Sequence, residues 1–258
     1  MSSSDTVLSS IKGNVATITL NRPEQRNAVN ARMAAELCDA VQACENDPQV
    51  AVTILTANGP TFCAGMDLAA FCAGEADGIL HGEGRFAGFV GLTRRKPVIA
   101  AVQGTAVAGG FEIVLACDMV VAADTAKFGL PEARRGLIAG AGGVFRLARR
   151  LPIAVVNEMI LIGDLFPAAR ALELGLINRV VPADDIMACS QELASKVAAS
   201  APMSVSLGLD LARKAASGDE DALWAMNDES LTQTTQSSDA QEGACAFLEK
   251  RAPVWRGV

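Results

Sequence analysis

A carboxylate stands at position 112 inside an otherwise apolar stretch, Gly109-Gly110-Phe111-Glu112-Ile113-Val114-Leu115-Ala116. Burying an unpaired carboxylate is costly, so Glu112 must be paired, hydrogen-bonded or used in chemistry. Glu132, in Phe128-Gly129-Leu130-Pro131-Glu132, has a similarly apolar neighbourhood. Two such groups divide acid and base work if their surroundings split their pKa values. The competing reading for each is a structural ion pair, for instance with Arg134 or Arg135, and spacing alone does not bring the two together. Two Gly-rich turns, around Gly65 and around Gly109-Gly110, each follow an apolar run and open a helix. Free N–H groups at a helix start suit an anion or a developing oxyanion; an ordinary tight turn is the alternative. Neither turn fits GxGxxG or GxxxxGK[ST], which excludes the dinucleotide and P-loop readings on spacing. Gly140-Ala141-Gly142-Gly143 reads either as an anion cradle or as close helix–strand packing. Arg134, Arg135, Arg146, Arg149 and Arg150 read as a solvated basic face. His81 is the sole histidine, which leaves little material for a His-based triad or a His-rich metal site.

Those groups need elements to hold them. Residues 14–20 (NVATITL), 50–56 (VAVTILT), 98–102 (VIAAV) and 119–122 (MVVA) predict four strands. Residues 31–43 carry Met33, Leu37, Ala40 and Val41 at helical spacing, and 111–116 predict a helix behind the second Gly turn. Strands separated by helices predict α/β layers. From residue 151 the pattern is mainly helical: 168–174 ended by Gly175, 186–198, and 204–216 ended by Gly218. In a last helix, Ser238-Asp239-Ala240-Gln241 has capping-box spacing ahead of Ala244, Phe247, Leu248 and Arg251. Residues 74–91, Gly-rich and weakly periodic, predict a mobile segment. The expected division is an α/β core over 1–200 and a helical region over 201–258.

Composition bounds the function class. The 258 residues are 50% hydrophobic and 20% charged, which excludes a disordered or collagen-like chain. A net charge of −7 argues against nucleic acid as a partner. Seven cysteines without a CxxC pair argue against a disulfide framework and a zinc site, and for a reducing compartment. MSSSDTVLSS lacks a basic start and an apolar signal core, and the most apolar run, 98–111, is too short to span a bilayer. A cytoplasmic protein without a membrane partner is expected.

Four ordered segments then converge on one family. They are Asn21-Arg22-Pro23-Glu24 with Asn27-Ala28; Phe62-Cys63-Ala64-Gly65-Met66-Asp67-Leu68; Lys96-Pro97 through Gln103-Gly104 with Ala108-Gly109-Gly110-Phe111-Glu112; and Phe128 to Glu132 with Gly140-Ala141-Gly142-Gly143. Over nearly its whole length the chain resembles the crotonase (enoyl-CoA hydratase/isomerase) superfamily. It lies nearest the carnitinyl-CoA dehydratase branch, on Asn157-Glu158-Met159 and the segment from Glu242 through Glu249-Lys250-Arg251 to Trp255-Arg256-Gly257. The resemblance implies a crotonase-like spiral of ββα units, a C-terminal helical trimerisation region and a homo-trimer or hexamer. It implies an acyl-CoA thioester substrate whose oxygen lies between the N–H groups of Met66 and Gly109. Glu112 and Glu132 match the family's two catalytic glutamates and Gly140 its water-positioning residue. Coenzyme A contacts carry over to Arg26, Ala28, Ala64, Gly65, Asp67 and Leu68, with Phe247 and Lys250 reaching from a neighbouring subunit. Hydration of a 2,3-double bond follows, with no metal and no cofactor beyond the coenzyme A of the substrate. A carnitinyl-type dehydratase, a double-bond isomerase and a silent binding protein are the alternatives.

Overall fold

The computed structural model describes residues 5–216 and 218–257. It opens with an antiparallel pair, β1 (Val7–Lys12) and β2 (Val15–Leu20), turned at Gly13. The long helix α1 (Ala31–Asn46) is capped by Asn30, whose side chain accepts from the Met33 N–H. Its Met33, Leu37 and Val41 are buried, as their spacing predicts. Three strand pairs follow: β3 (Val52–Ala57) with β4 (Thr61–Cys63), β5 (Val98–Val102) with β6 (Thr105–Val107), and β7 (Met119–Ala123) with β8 (Lys127–Gly129). In each pair the first strand joins a large sheet and the second a small one, and helices return the chain. α2 (Leu68–Cys72) and α3 (Ala76–Leu80) follow β4, α4 (Gly109–Ala116) follows β6, and α5 (Gly143–Ala148) follows β8. This is a repeated ββα unit, the crotonase fold.

The remaining elements are α6 (Ile153–Ile162), β9 (Phe166–Pro167), α7 (Ala168–Glu173), β10 (Arg179–Val181), α8 (Ile186–Ala198), α9 (Pro202–Ala215), α10 (Glu220–Thr235) and α11 (Ser238–Glu249). The large sheet has the order β1-β2-β3-β5-β7-β10, parallel except for β1 with β2. Its strands β3 and β5 are buried along their whole length because α8 packs on them. The small sheet has the order β4-β6-β8-β9.

Several differences from the sequence reading have plain causes. The small-sheet strands of two or three residues are too short to show a period. β1 escapes the pattern because five of its six residues are exposed. Residues 74–91, weakly periodic in sequence, hold α3 and a 3-10 turn at Phe86–Gly88, with Ile79, Phe86, Phe89 and Val90 buried. The last helix is capped by Ser237, not Ser238, with its hydroxyl accepting from the Ala240 N–H. The basic face is only partly solvated: Arg146 donates to the Ala141 and Val90 carbonyls and Arg150 to that of Leu115. α9 and α10 bury no residue completely, and α9 is tied to the core by Arg213 bonded bidentately to Asp118.

Candidate active site

Strands β4, β6 and β8 lie side by side and parallel, with Cys63 opposite Ala106 and Val107 opposite Gly129. Whatever follows their C-terminal ends is therefore gathered at one edge, where open parallel sheets place ligands. The loop after β4 carries Met66, the helix after β6 carries Gly109 and Glu112, and the turn after β8 carries Glu132. Topology thus brings together residues up to 66 positions apart in sequence (Met66 to Glu132).

The first two loops nearly touch. Gly65 has φ +91°, and a Cβ there would lie 3.0 Å from the Ala108 Cβ and 3.1 Å from the Gly109 nitrogen. Glycine is needed both for the turn and for this approach. The Gly65 carbonyl accepts from Val29 and the Asp67 N–H donates to Val29, which straddles Met66 and leaves its own N–H unused. Gly109 opens α4, so its N–H is one of the helix's unpaired donors. Among the described residues neither N–H has a partner.

Asp67 braces this arrangement. Its carboxylate caps α2 through the Ala69 and Ala70 N–H groups and pairs with Arg22 at 3.0 Å. These hydrogen bonds and the Arg22 guanidinium outweigh desolvation and hold its pKa below the usual carboxylate range. Arg22 also donates to the Ala28 carbonyl. Asn27 is fully buried, accepts from the Arg22 N–H and donates to the Asn58 and Thr61 carbonyls. Arg26, exposed beside it, accepts at its carbonyl from the Ala64 N–H.

A cavity of about 450 Å³ opens over these loops. Ala64, Met66, Leu68, Gly109, Glu112, Glu132 and Gly140 all line it. Glu112 is 3% exposed and accepts from the Gly143 N–H at 2.7 Å. Burial pushes its pKa up to about 7 against that hydrogen bond, with the neighbouring Glu132 adding to the rise. Glu132 is 8% exposed; desolvation raises its pKa too, and its Oε2 is buried with no hydrogen-bond partner among the described residues. Among the described residues neither glutamate is in an ion pair: Arg134 pairs with Asp164 instead, and Arg135 acts on Glu132 only through its charge, against the rise. Gly143, the first residue of α5, is thus a carboxyl ligand, a role the GAGG composition suggests only as an unspecified cradle.

Matches to known proteins follow the same geometry. The family model for enoyl-CoA hydratase/isomerase matches residues 10–258. The chain belongs to this family. It is 41% identical over 252 residues to a carnitinyl-CoA dehydratase of Proteus mirabilis (strain HI4320), covering 95% of this chain and 96% of that protein. The carnitinyl-CoA dehydratase of Escherichia coli (strain K12) is 40% identical over 251 residues, with the same coverage. Among solved structures, an enoyl-CoA hydratase from Mycobacterium tuberculosis H37Rv superposes with a TM-score of 0.95 at 42% identity, covering 99% of this chain and 100% of that one. A carnitinyl-CoA hydratase from Mycobacterium avium gives 0.79 at 42% identity and the same coverage.

The family chain does not bring every expected site residue into the cavity. Phe247, 83% exposed, and Lys250, the exposed C-cap of α11, are not among its lining residues, and neither are Arg26, Ala28, Gly65 and Asp67. Other residues line it without having been singled out from the sequence: Leu80, Arg85, Leu137 and Ile138. His81 is exposed and also borders the cavity. Their signal was weak because exposed apolar and basic residues on short irregular segments are common on any surface. Among the described residues no cluster of His, Cys, Asp or Glu is arranged to hold a metal ion, and no helix is long and apolar enough to cross a membrane.

Proposed function

We propose that this protein adds water across the 2,3-double bond of a 2-enoyl-CoA thioester and removes it in the reverse direction, as an enoyl-CoA hydratase. The observation that carries this reading is the shared cavity: two carboxyl groups with raised pKa values line it together with two residues whose backbone N–H groups have no partner among the described residues. Water attack at C3 builds negative charge on the thioester oxygen, which the N–H groups of Met66 and Gly109 receive without reorganising. One glutamate takes a proton from the water while the other supplies one at C2, and a pKa near neutrality lets a carboxyl do either. The step needs no metal and no redox cofactor. Gly140, at the cavity wall, would help hold the attacking water.

The thioester's coenzyme A would run from Leu68 and Met66 past Ala64 and Gly65 toward Arg26 and Ala28, with Asp67 acting through the turn it braces. Phe247 and Lys250 would reach the coenzyme A of a neighbouring copy. A trimer, singly or paired as a hexamer, would cover the exposed Trp224, Leu231, Phe247 and Leu248 of the C-terminal helices. The names of the relatives favour a second reading, carnitinyl-CoA dehydration, which uses the same chemistry on a trimethylammonium substrate. The test is turnover of crotonyl-CoA beside crotonobetainyl-CoA and a 3-enoyl-CoA. Hydration of crotonyl-CoA supports the proposal; conversion of the 3-enoyl-CoA alone points to an isomerase, and no turnover of any of them refutes catalysis of this kind.

A further inference from the structure

Beyond the two glutamates, the charged residues on the cavity wall are two arginines, Arg85 and Arg135. Arg135 ends the 3-10 turn that begins at Glu132, and its neighbour Arg134 is turned outward to Asp164. The one hydrogen bond of the Arg135 side chain among the described residues is a long contact to the Pro131 carbonyl at 3.5 Å, and its charge also acts on Glu132, holding down part of that carboxyl's raised pKa. Arg85 sits in a backbone conformation unusual for a side-chain-bearing residue, φ +60°. Its N–H donates to the Gly82 carbonyl and its carbonyl accepts from Gly88, which hold that conformation in place. The stem of Arg85 lies against Gly91, where a Cβ would come within 2.7 Å of its Cδ. The stem is therefore packed, while the guanidinium has no carboxylate or carbonyl partner among the described residues.

Phe71, Leu80, Leu137 and Ile138 line the same cavity and give it an apolar wall. An acyl chain whose middle is hydrocarbon and whose far end is an anion matches that lining: methylenes against the apolar residues, a carboxylate against the arginines. A trimethylammonium group matches it poorly. It would meet like charge, and the wall offers only Phe71 and Phe86 as aromatic faces for it.

We propose that this cavity takes 2-enoyl-CoA thioesters whose acyl group ends in a carboxylate, with Arg85 and Arg135 binding that carboxylate. The proposal rests on the hydratase reading above and names its substrate class. It predicts a preference order opposite to the one that the relatives' names suggest.

The experiment compares kcat/KM of the full-length protein for glutaconyl-CoA, crotonyl-CoA and crotonobetainyl-CoA, then repeats it with Arg85→Gln, Arg135→Gln and the double variant. Glutaconyl-CoA is expected to exceed crotonyl-CoA by at least about tenfold, or 1.4 kcal/mol of transition-state preference, with crotonobetainyl-CoA last. The double variant should bring the glutaconyl-to-crotonyl ratio to about one. A ratio of one or less in the unaltered protein overturns the proposal while leaving the hydratase reading standing. So does an equal rise in KM for all three thioesters in the variants, which would assign the arginines to the phosphates of coenzyme A. Failure to hydrate any of the three overturns the hydratase reading and this proposal with it.

Discussion

Replacing Glu112 by Gln should stabilise the protein at alkaline pH and not at acidic pH. The Glu112 carboxyl has its pKa raised from an ordinary 4.5 to about 7, chiefly because folding removes it from water. The unfolded chain therefore releases this proton first as pH rises, and folding stability falls from about pH 4.5 until the folded carboxyl also ionises near pH 7. At about 1.4 kcal/mol per pH unit, the difference is worth on the order of 3 kcal/mol when fully developed. Gln keeps the shape and an oxygen for the Gly143 N–H, but it does not titrate. Between about pH 5 and about pH 8 the variant should gain roughly 2 to 3 kcal/mol on the unaltered protein, or about 5–10 °C in Tm. Urea unfolding of both proteins at the same protomer concentration measures this, and the raised pKa of Glu132, common to both, largely cancels. A stability difference that is flat across that range, or larger at acid pH, would refute a buried, high-pKa Glu112.

Four further outcomes are expected. Glu112→Gln and Glu132→Gln should each lower kcat by at least about a hundredfold, and the double variant by less than the product of the two, as a unit would; full activity in either single variant removes that residue from the reaction. Gly109→Ala places a Cβ 2.3 Å from the Phe86 ring and displaces an oxyanion donor, so kcat should fall by about a hundredfold, whereas Met66→Ala keeps its N–H and should cost less than about tenfold; equal losses would mean that the Met66 side chain matters. Asp118→Ala removes the bidentate partner of Arg213 and the acceptor for the Val98 N–H, and should cost about 3 kcal/mol in urea unfolding, a loss below about 0.5 kcal/mol counting against this anchor. Sedimentation at micromolar concentration should give a trimer or hexamer, and a monomer would leave the apolar faces of α10 and α11 without an explanation.

The parts of the fold legible in the sequence were those with enough residues to repeat. α1 and α8 carry several turns of one face, and β3, β5 and β7 are continuous apolar runs, so each was found within a few residues of its observed limits. The small sheet was not legible, although it is what gathers the site, because three-residue strands such as Thr105–Val107 carry no period. Glu112 stood out as a charge in an apolar run. Its proximity to Glu132 did not, because that depends on β6 and β8 pairing with Val107 beside Gly129. Arg85 was invisible for the opposite reason: an arginine in a Gly-rich loop is unremarkable until its stem is found packed on Gly91.

One helix carries two of the proposed roles. The Gly109 N–H and the Glu112 carboxyl lie in the first turn of α4, three residues apart, so the rise of about 1.5 Å per residue fixes their separation along the axis. The positive end of the helix dipole favours ionised Glu112, yet its pKa is raised, so burial outweighs the dipole there. α4 is fastened at both ends. The Ala108 N–H donates to the Gly129 carbonyl ahead of it, and behind it Arg94 and Arg150 donate to the Ala116 and Leu115 carbonyls at 2.6 and 2.9 Å. Those two carbonyls are among the last of the helix, where cations are stabilising and an unpaired acceptor is costly. These bonds tie the backbone of Gly109 and Glu112 into one braced helix. Arg94 and Arg150 are not among the residues that line the cavity, yet they brace the helix that carries both groups of the proposed reaction.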